Sequence, residues 1–333
     1  MRAQRGVTGP WWLGPGLVAR ALKRWWLCLP GLVAAVAPVW AQSPIQDCPP
    51  QASHSTALMA QAREHATDRG FLWRIRRDGH TSFLYGTLHL GRAEWFSPGP
   101  SVRTALDHAD VVALEVDMSA PEVQKTVQAV VSGPAHKLPR ELNQRLERRW
   151  LAECLPLAQL HVGPPELKAL ALTLLIGRRD GFDPAYSAEA MLTLAAHERR
   201  LPLQSLESMA LQLALLTAAN KEQANEAVAA TLRQLDSGLS RSVLKRLANA
   251  WAQNDLGVLE TYAAWCDCVK TDHERADMKR MLDDRNPGLA DAIEGLHAKG
   301  ARVFAAVGAL HMAGPQALPR LLADRGFEVE RLF

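Results

Sequence analysis

The chain is 333 residues long and 48% apolar, enough to bury a large core as one big domain or two smaller ones, which excludes a disordered chain. Its 38 basic residues outnumber its 35 acidic ones only because residues 1–41 carry five basic side chains and no acid. The remainder holds 33 basic against 35 acidic residues, which excludes the basic footprint of a nucleic-acid binder.

Residues 1–41 have the form of a secretory signal. Arg2, Arg5, Arg20, Lys23 and Arg24 precede an apolar run from Trp25 to Trp40, and Val39-Trp40-Ala41 places small residues at the cleavage positions before Gln42. The run is 16 residues, short for a membrane span, and Pro30 and Pro38 interrupt it. The mature protein is expected to begin near Gln42 in the periplasm or outside the cell. The alternative is an uncleaved inner-membrane anchor, which would be the chain's one membrane contact. Cys28 leaves with the signal, and Cys48, Cys154, Cys266 and Cys268 remain. An even number in an exported chain suggests two disulfides that staple a helical region to the N-terminal linker. Among the three pairings, a bond between Cys266 and Cys268 is the least expected, since its ring is strained. Cys266-Asp267-Cys268 also has the wrong spacing for a Cys-x-x-Cys metal or redox motif.

After a linker over 42–53, residues 54–333 read as one mixed α/β domain with a helical insertion at about 120–299. A helix is expected from Thr56 to Asp68, ended by Gly70. Phe71–Arg76 and Thr81–Tyr85 flank Asp78-Gly79, a hairpin signal. Ser101–Ala109 reads as a helix and Asp110–Asp117 as a buried strand, giving the strand–helix–strand order of an α/β sheet. From 120 to 299 the pattern is helical, broken by Gly-Pro pairs, with Asp183-Pro184 as a helix start. Pro202–Leu206 is a short extended segment ending at Glu207. Arg302–Val307 returns to the sheet, followed by a helix over Pro315–Asp324 and a last strand over Phe327–Leu332. The tryptophans follow no fixed interval, so they read as core or surface anchors and not as a base-stacking platform.

Chemistry concentrates at strand ends. Gly86-Thr87-Leu88-His89 and Gly308-Ala309-Leu310-His311 are two Gly-x-x-His copies, each reached through an apolar strand. A packing requirement would be met as well by Leu or Phe at both histidines, so the duplication points to one site built from both ends of the domain. Histidine supplies a neutral metal ligand or a proton carrier near neutral pH. Gly86 and Gly308 let the backbone leave the strand and let a substrate or metal approach. The period of two puts Glu115 and Asp117, the last acids of their strand, on one face, and Glu207 is a third strand-end acid. Arg285 and Asn286 lie in the polar turn 283–286. Mixed imidazole and carboxylate ligands suit Mn, Co, Zn or Fe. Ligand sites in open α/β sheets lie at the carboxyl ends of the strands. No Gly-x-Ser-x-Gly elbow, His-Glu-x-x-His helix or Walker loop is present. Glu64-His65, His197-Glu198 and His273-Glu274 read as solvated surface pairs.

Tyr85-Gly86-Thr87-Leu88-His89-Leu90-Gly91, Leu114-Glu115-Val116-Asp117, Asp284-Arg285-Asn286 and Val307-Gly308-Ala309-Leu310-His311 with Gly314 together resemble the TraB/PrgY/GumN family, in order and spacing, over roughly residues 71–333. The four mature-chain cysteines resemble an exported bacterial subgroup. The family includes the Tiki proteins, described as metal-dependent proteases that need two Gly-x-x-His motifs and a glutamate; His89, Glu115 and His311 match those positions. Arg285 and Asn286 match a polar family motif. The resemblance implies a fold like the erythromycin-esterase and ChaN-like group, a central sheet with a strand-end site and a helical insertion. It further implies an exported metal-dependent hydrolase, cleaving a peptide or acting on a small molecule. His89, His311 and Glu115 would hold a divalent metal, Glu207 or Asp117 would activate water, and Arg285 would stabilise an oxyanion. The alternatives are a non-catalytic metal or haem binder, as ChaN-like relatives suggest, and a regulatory binding protein.

Overall fold

The computed structural model describes residues 47–333. The expected signal and the first residues of the linker lie outside the described residues. Six strands form one sheet in the order β4-β3-β5-β2-β1-β6. They are β1 (Phe71–Arg77), β2 (His80–Thr87), β3 (Val111–Leu114), β4 (Leu203–Ser205), β5 (Val303–Gly308) and β6 (Glu328–Arg331). β4, β3, β5 and β2 run parallel, and β1 and β6 extend the sheet antiparallel. The mixed α/β class read from the sequence is therefore the class that forms.

The apolar runs explain this arrangement. Val111–Leu114 and Val303–Val307 are buried at every position, as strands covered on both faces must be. The Ala188–Arg199 helix packs on β3 and the Asn286–Ala298 helix on β5, contributing Leu192, Leu289 and Ile293 to the core. The β1–β2 hairpin turns at Asp78 and Gly79, with φ of 52° and 81°, the positive-φ pair that matches strand twist.

Between Pro121 and Ala298 helices dominate, with β4 as the one strand. The Arg140–Ala152, Pro165–Leu175 and Lys221–Asp236 helices close a second apolar cluster around Leu146, Trp150, Leu172, Val228 and Leu232. This helical region is fastened to the segment after β2. Gly91 and Asp183 exchange backbone hydrogen bonds of 3.1 and 2.8 Å, and Ala188 N–H donates to Leu88 O at 3.0 Å. Asp183 caps a short 3₁₀ turn, Pro184–Tyr186, and not the long helix directly; Ser187 then caps Ala188–Arg199.

Cys48, Cys154, Cys266 and Cys268 form two disulfides. Cys48–Cys154 ties the first described residues to the end of the Arg140–Ala152 helix, as a staple between linker and helical region would. Cys266–Cys268 is the pairing that strain made least expected. It forms because the chain bends between the Tyr262–Trp265 and Asp272–Met281 helices and brings the two Cα atoms to 5.1 Å, inside the ordinary disulfide range. Among the described residues no helix is long and apolar enough to cross a membrane.

Candidate functional site

The parallel strands deliver their carboxyl ends to one edge, and the register there is tight. Thr87 pairs with Gly308, Leu114 with Ala306, and Leu114 with Ser205 on its other side. Beyond the strands, Leu206 N–H donates to Leu114 O at 2.8 Å and Glu207 N–H to Glu115 O at 3.0 Å. That continued pairing sets Glu115 and Glu207 side by side.

Both carboxylates are buried and are met by Arg285, whose side chain is also buried. Arg285 Nη2 donates to Glu115 Oε2 at 2.5 Å and to Glu207 Oε1, while its Nε donates to Glu207 Oε2 at 3.2 Å. Gly308 N–H donates to Glu115 Oε1 at 2.6 Å. Gln212 Nε2 reaches the same two carboxylates, 3.2 Å from Glu115 Oε2 and 2.7 Å from Glu207 Oε1. Burial works against ionisation of Glu115, but the charges at His311, His89 and Arg285 and the Gly308 N–H outweigh it. The Glu115 pKa is held down at about 2.

His311 follows β5 in a short 3₁₀ turn and is 3% exposed, so its protonation state is set by its partners. Asn286 Nδ2 donates to His311 O at 3.3 Å and Gln316 O at 2.7 Å, which leaves Asn286 Oδ1 as the acceptor for His311 Nδ1–H. The proton on Nδ1 leaves the Nε2 lone pair facing the site, 3.2 Å from Arg285 Nη1. Burial, only partly offset by Glu115, lowers the His311 pKa to about 4. Asn286 itself is fully buried at the start of its helix.

His89 stands on the other side. Its Nδ1 lies 3.0 Å from Glu189 Oε1, and its ring keeps an open face with 60% of the side-chain surface accessible. The charge of Glu189 raises its pKa to about 9, against the opposing effect of desolvation. Glu189 is in turn held below its usual range, because the charge of His89 outweighs the burial of its carboxylate. The sequence reading did not include Glu189; an acid in the first turn of a helix reads first as a partner for the helix dipole. Gln212 was also missed, although a lone amide in the apolar helix Met209–Leu216 is a signal that could have found it.

The two glycines differ. A Cβ on Gly308 would stand 3.1 Å from Glu115 Oε1, 3.7 Å from His311 Cδ2 and 3.9 Å from His89 Nε2, so glycine keeps open the space on which the three side chains converge. A Cβ on Gly86 would instead meet Met312 Cγ and Phe71 Cδ2, each at 3.2 Å. Close core packing, and not ligand approach, calls for glycine at 86. Asp117 also departs from expectation. β3 ends at Leu114, and the Asp117 carboxylate accepts from Ser119 N–H at 2.9 Å and Ser119 Oγ at 2.5 Å, opening the turn toward the Pro121–Val131 helix. The acid that joins Glu115 is Glu207.

The model of the TraB/PrgY/gumN family matches residues 71–331. The chain belongs to this family. Every residue of the convergent cluster, from His89 to His311, lies within the matched span of the TraB/PrgY/gumN domain. No curated protein and no solved structure matches the chain.

The fit of a divalent metal can be tested on the donors. His89 and His311 are each held at Nδ1 by a second group, Glu189 and Asn286, which leaves Nε2 as the donor, and Glu115 supplies a carboxylate at the gap above Gly308. Counting Glu115, Glu189 and Glu207 as anions against Arg285, with His89 neutral as an Nε2 donor must be, the cluster carries two net negative charges. Donor types and charge fit. The side chains are not drawn into a cage, and among the described residues no group of three or more His, Cys, Asp or Glu stands ready to hold a metal ion.

Proposed function

We propose that this TraB/PrgY/gumN protein is an exported, metal-dependent hydrolase that cleaves peptide bonds. One observation carries the reading: His89, Glu115 and His311, brought from three separate strand ends, converge on the space that Gly308 leaves open. His89, Glu115 and His311 would hold the metal, which when bound would supply Lewis-acid polarisation of a carbonyl or water. The metal is expected to be Mn, Co, Zn or Fe, given imidazole and carboxylate donors.

The remaining groups have tasks that follow from their contacts. Glu207, tied to Arg285 and Gln212 as Glu115 is, serves as proton acceptor for a nucleophilic water. Arg285 brings a fixed guanidinium to the place where negative charge develops on a tetrahedral oxygen. Asn286 keeps the proton of His311 on Nδ1. Export is supported by the two disulfides, which persist in oxidising compartments. The peptide as substrate comes from the family resemblance.

A second reading is favoured by the split between the histidines, His311 neutral and His89 charged. Two titratable groups pushed apart in this way can serve as base and acid in hydrolysis without a metal. A peptide library incubated with the mature protein, with and without a chelator and with each metal added back, separates the two. The leading reading expects turnover lost on chelation and restored by one metal. Turnover indifferent to chelation selects the second reading, and no turnover under any condition refutes both.

A further inference from the structure

Arg285 stands where a cation is wanted. Nη2 takes Glu115 Oε2 at 2.5 Å, and Nη1 faces His311 Nε2 at 3.2 Å. The second of these is the lone pair a metal would need, because the other nitrogen of His311 is committed to Asn286. A dication and a guanidinium cannot share these atoms, and their mutual repulsion in a buried site is large.

We propose that Arg285 is a resident cation that must release Glu115 and His311 before a divalent metal binds, and that Glu207 is the carboxylate that holds it in the released position. The proposal rests on the reading of His89, Glu115 and His311 as metal ligands. Its physical basis is the unequal set of anchors on the guanidinium. Glu207 takes two hydrogen bonds from Arg285, through Nε and Nη2, and Met281 O takes a third from Nη1 at 2.9 Å. The Nε bond uses a nitrogen that touches neither Glu115 nor His311, whereas Nη2 and Nη1 are shared with those two groups, so release is a turn of the guanidinium about its Nε–Glu207 bond. Arg285 can therefore give up the Glu115 and His311 contacts while its charge stays paired with Glu207, which avoids leaving a buried guanidinium uncompensated. Gln212 adds to the asymmetry, because its amide sits closer to Glu207 than to Glu115 and stays with the released pair.

This arrangement makes Arg285 a determinant of which cations the site admits. A monovalent ion gains too little from one carboxylate and two imidazoles to displace a guanidinium, whereas a divalent ion gains about twice the Coulomb attraction at the same distance.

The test uses Co²⁺ alone, added to the mature protein and followed by its visible absorption on binding. Release before binding makes the observed rate level off as Co²⁺ concentration rises in the unaltered protein, because opening becomes limiting. In Arg285→Gln the rate should rise linearly, and the affinity should increase about tenfold or more, since a competing positive charge is gone. Arg285→Gln leaves Glu115 and Glu207 facing each other and can fold poorly, so Arg285→Gln/Glu207→Gln, which removes the pair together, carries the same kinetic test. A linear rate in the unaltered protein, or an Arg285→Gln affinity equal to or below it, overturns the proposal while the metal reading stands. Absence of Co²⁺ binding to every form, His311→Ala included, overturns the metal reading and the proposal with it.

Discussion

Alanine at Gly308 and alanine at Gly86 should have opposite consequences, although the two glycines occupy the same place in their Gly-x-x-His motifs. Gly308 has φ of −48° and ψ of 136°, which an alanine adopts without strain, so the shorter list of unfolded conformations favours Ala by about 0.4 to 1 kcal/mol. Against this, the new Cβ meets Glu115 Oε1 at 3.1 Å, and the carboxylate must shift by a few tenths of an ångström and weaken its bond to Gly308 N–H. A charge-assisted bond of this kind is worth about 1.5 to 3 kcal/mol when lost outright, and less when only stretched. Gly308→Ala should therefore change stability by no more than about 1 to 2 kcal/mol. Its effect on ligand binding is much larger, because the methyl sits between donors that must approach a metal to about 2.0 to 2.2 Å. Co²⁺ affinity should fall by about 100-fold, as when a metal site loses its geometry. Gly86→Ala places a methyl 3.2 Å from Met312 Cγ and Phe71 Cδ2 and 3.4 Å from the Ala309 backbone, an overpacking that costs about 1 to 3 kcal/mol. Its Co²⁺ affinity should stay within about threefold, since no donor is touched. Urea unfolding and Co²⁺ titration of the two variants decide the matter. Gly308→Ala binding as tightly as the unaltered protein would refute the assignment of the open space.

Acid should destabilise the protein partly through His311. Its folded pKa, about 4, lies below the value of about 6.5 for an exposed histidine, so its contribution is complete above pH 6.5 and is lost as pH falls from there toward about 4. Between about pH 7 and pH 5 this amounts to about 1 to 2 kcal/mol in urea unfolding, and His311→Gln should flatten that dependence; an unchanged slope would count against it. His89 has the opposite sign: its raised pKa makes its contribution complete below about 6.5 and lost as pH rises through about 9. In Glu189→Gln, a proton NMR titration should find the His89 pKa lowered, and a value still near that of the unaltered protein would break the pairing. Replacing Cys48 and Cys154 by serine opens a loop with a sequence separation of 106. Unfolding should become easier by about 2 to 4 kcal/mol, and an unchanged urea midpoint would show the crosslink to be without effect on stability.

The sheet was legible because its central strands carry continuous apolar runs. Thr81–Tyr85, Arg302–Val307 and the stretch before Glu115 could each be placed by composition alone, and all three lie in the sheet as parallel neighbours. Parallel strands force their carboxyl ends to one edge, so His89, Glu115, Glu207 and His311 could be grouped without knowing any contact. Asp117 was grouped with them by the period of two, which holds only while the strand continues. The chain leaves the strand after Leu114, Ser205 Oγ accepts from Asp117 N–H at 2.9 Å, and the carboxylate turns to Ser119. The pairing of Cys266 with Cys268 was hidden for a similar reason: it depends on a bend between two helices that the residues themselves do not announce.

The two Gly-x-x-His motifs look interchangeable as strings of letters, yet one histidine is neutral and the other cationic. The difference lies outside the motifs. His311 is answered by Asn286, a neutral acceptor at the start of a helix, and so keeps one proton and an Nε2 lone pair that faces Arg285. His89 is answered by Glu189, an anion in the first turn of a helix from the other part of the chain, and so holds a second proton until a competing cation removes it. Which acid reaches His89 depends on how the Ala188–Arg199 helix is seated, and that is decided by backbone bonds, Ala188 to Leu88 and Gly91 with Asp183, and by the close approach of Gly91 to Tyr186, whose carbonyl oxygen would stand 2.2 Å from a Cβ there. The ligands are thus written in the sequence, whereas the groups that set their protonation are chosen by docking of the helical region onto the sheet edge.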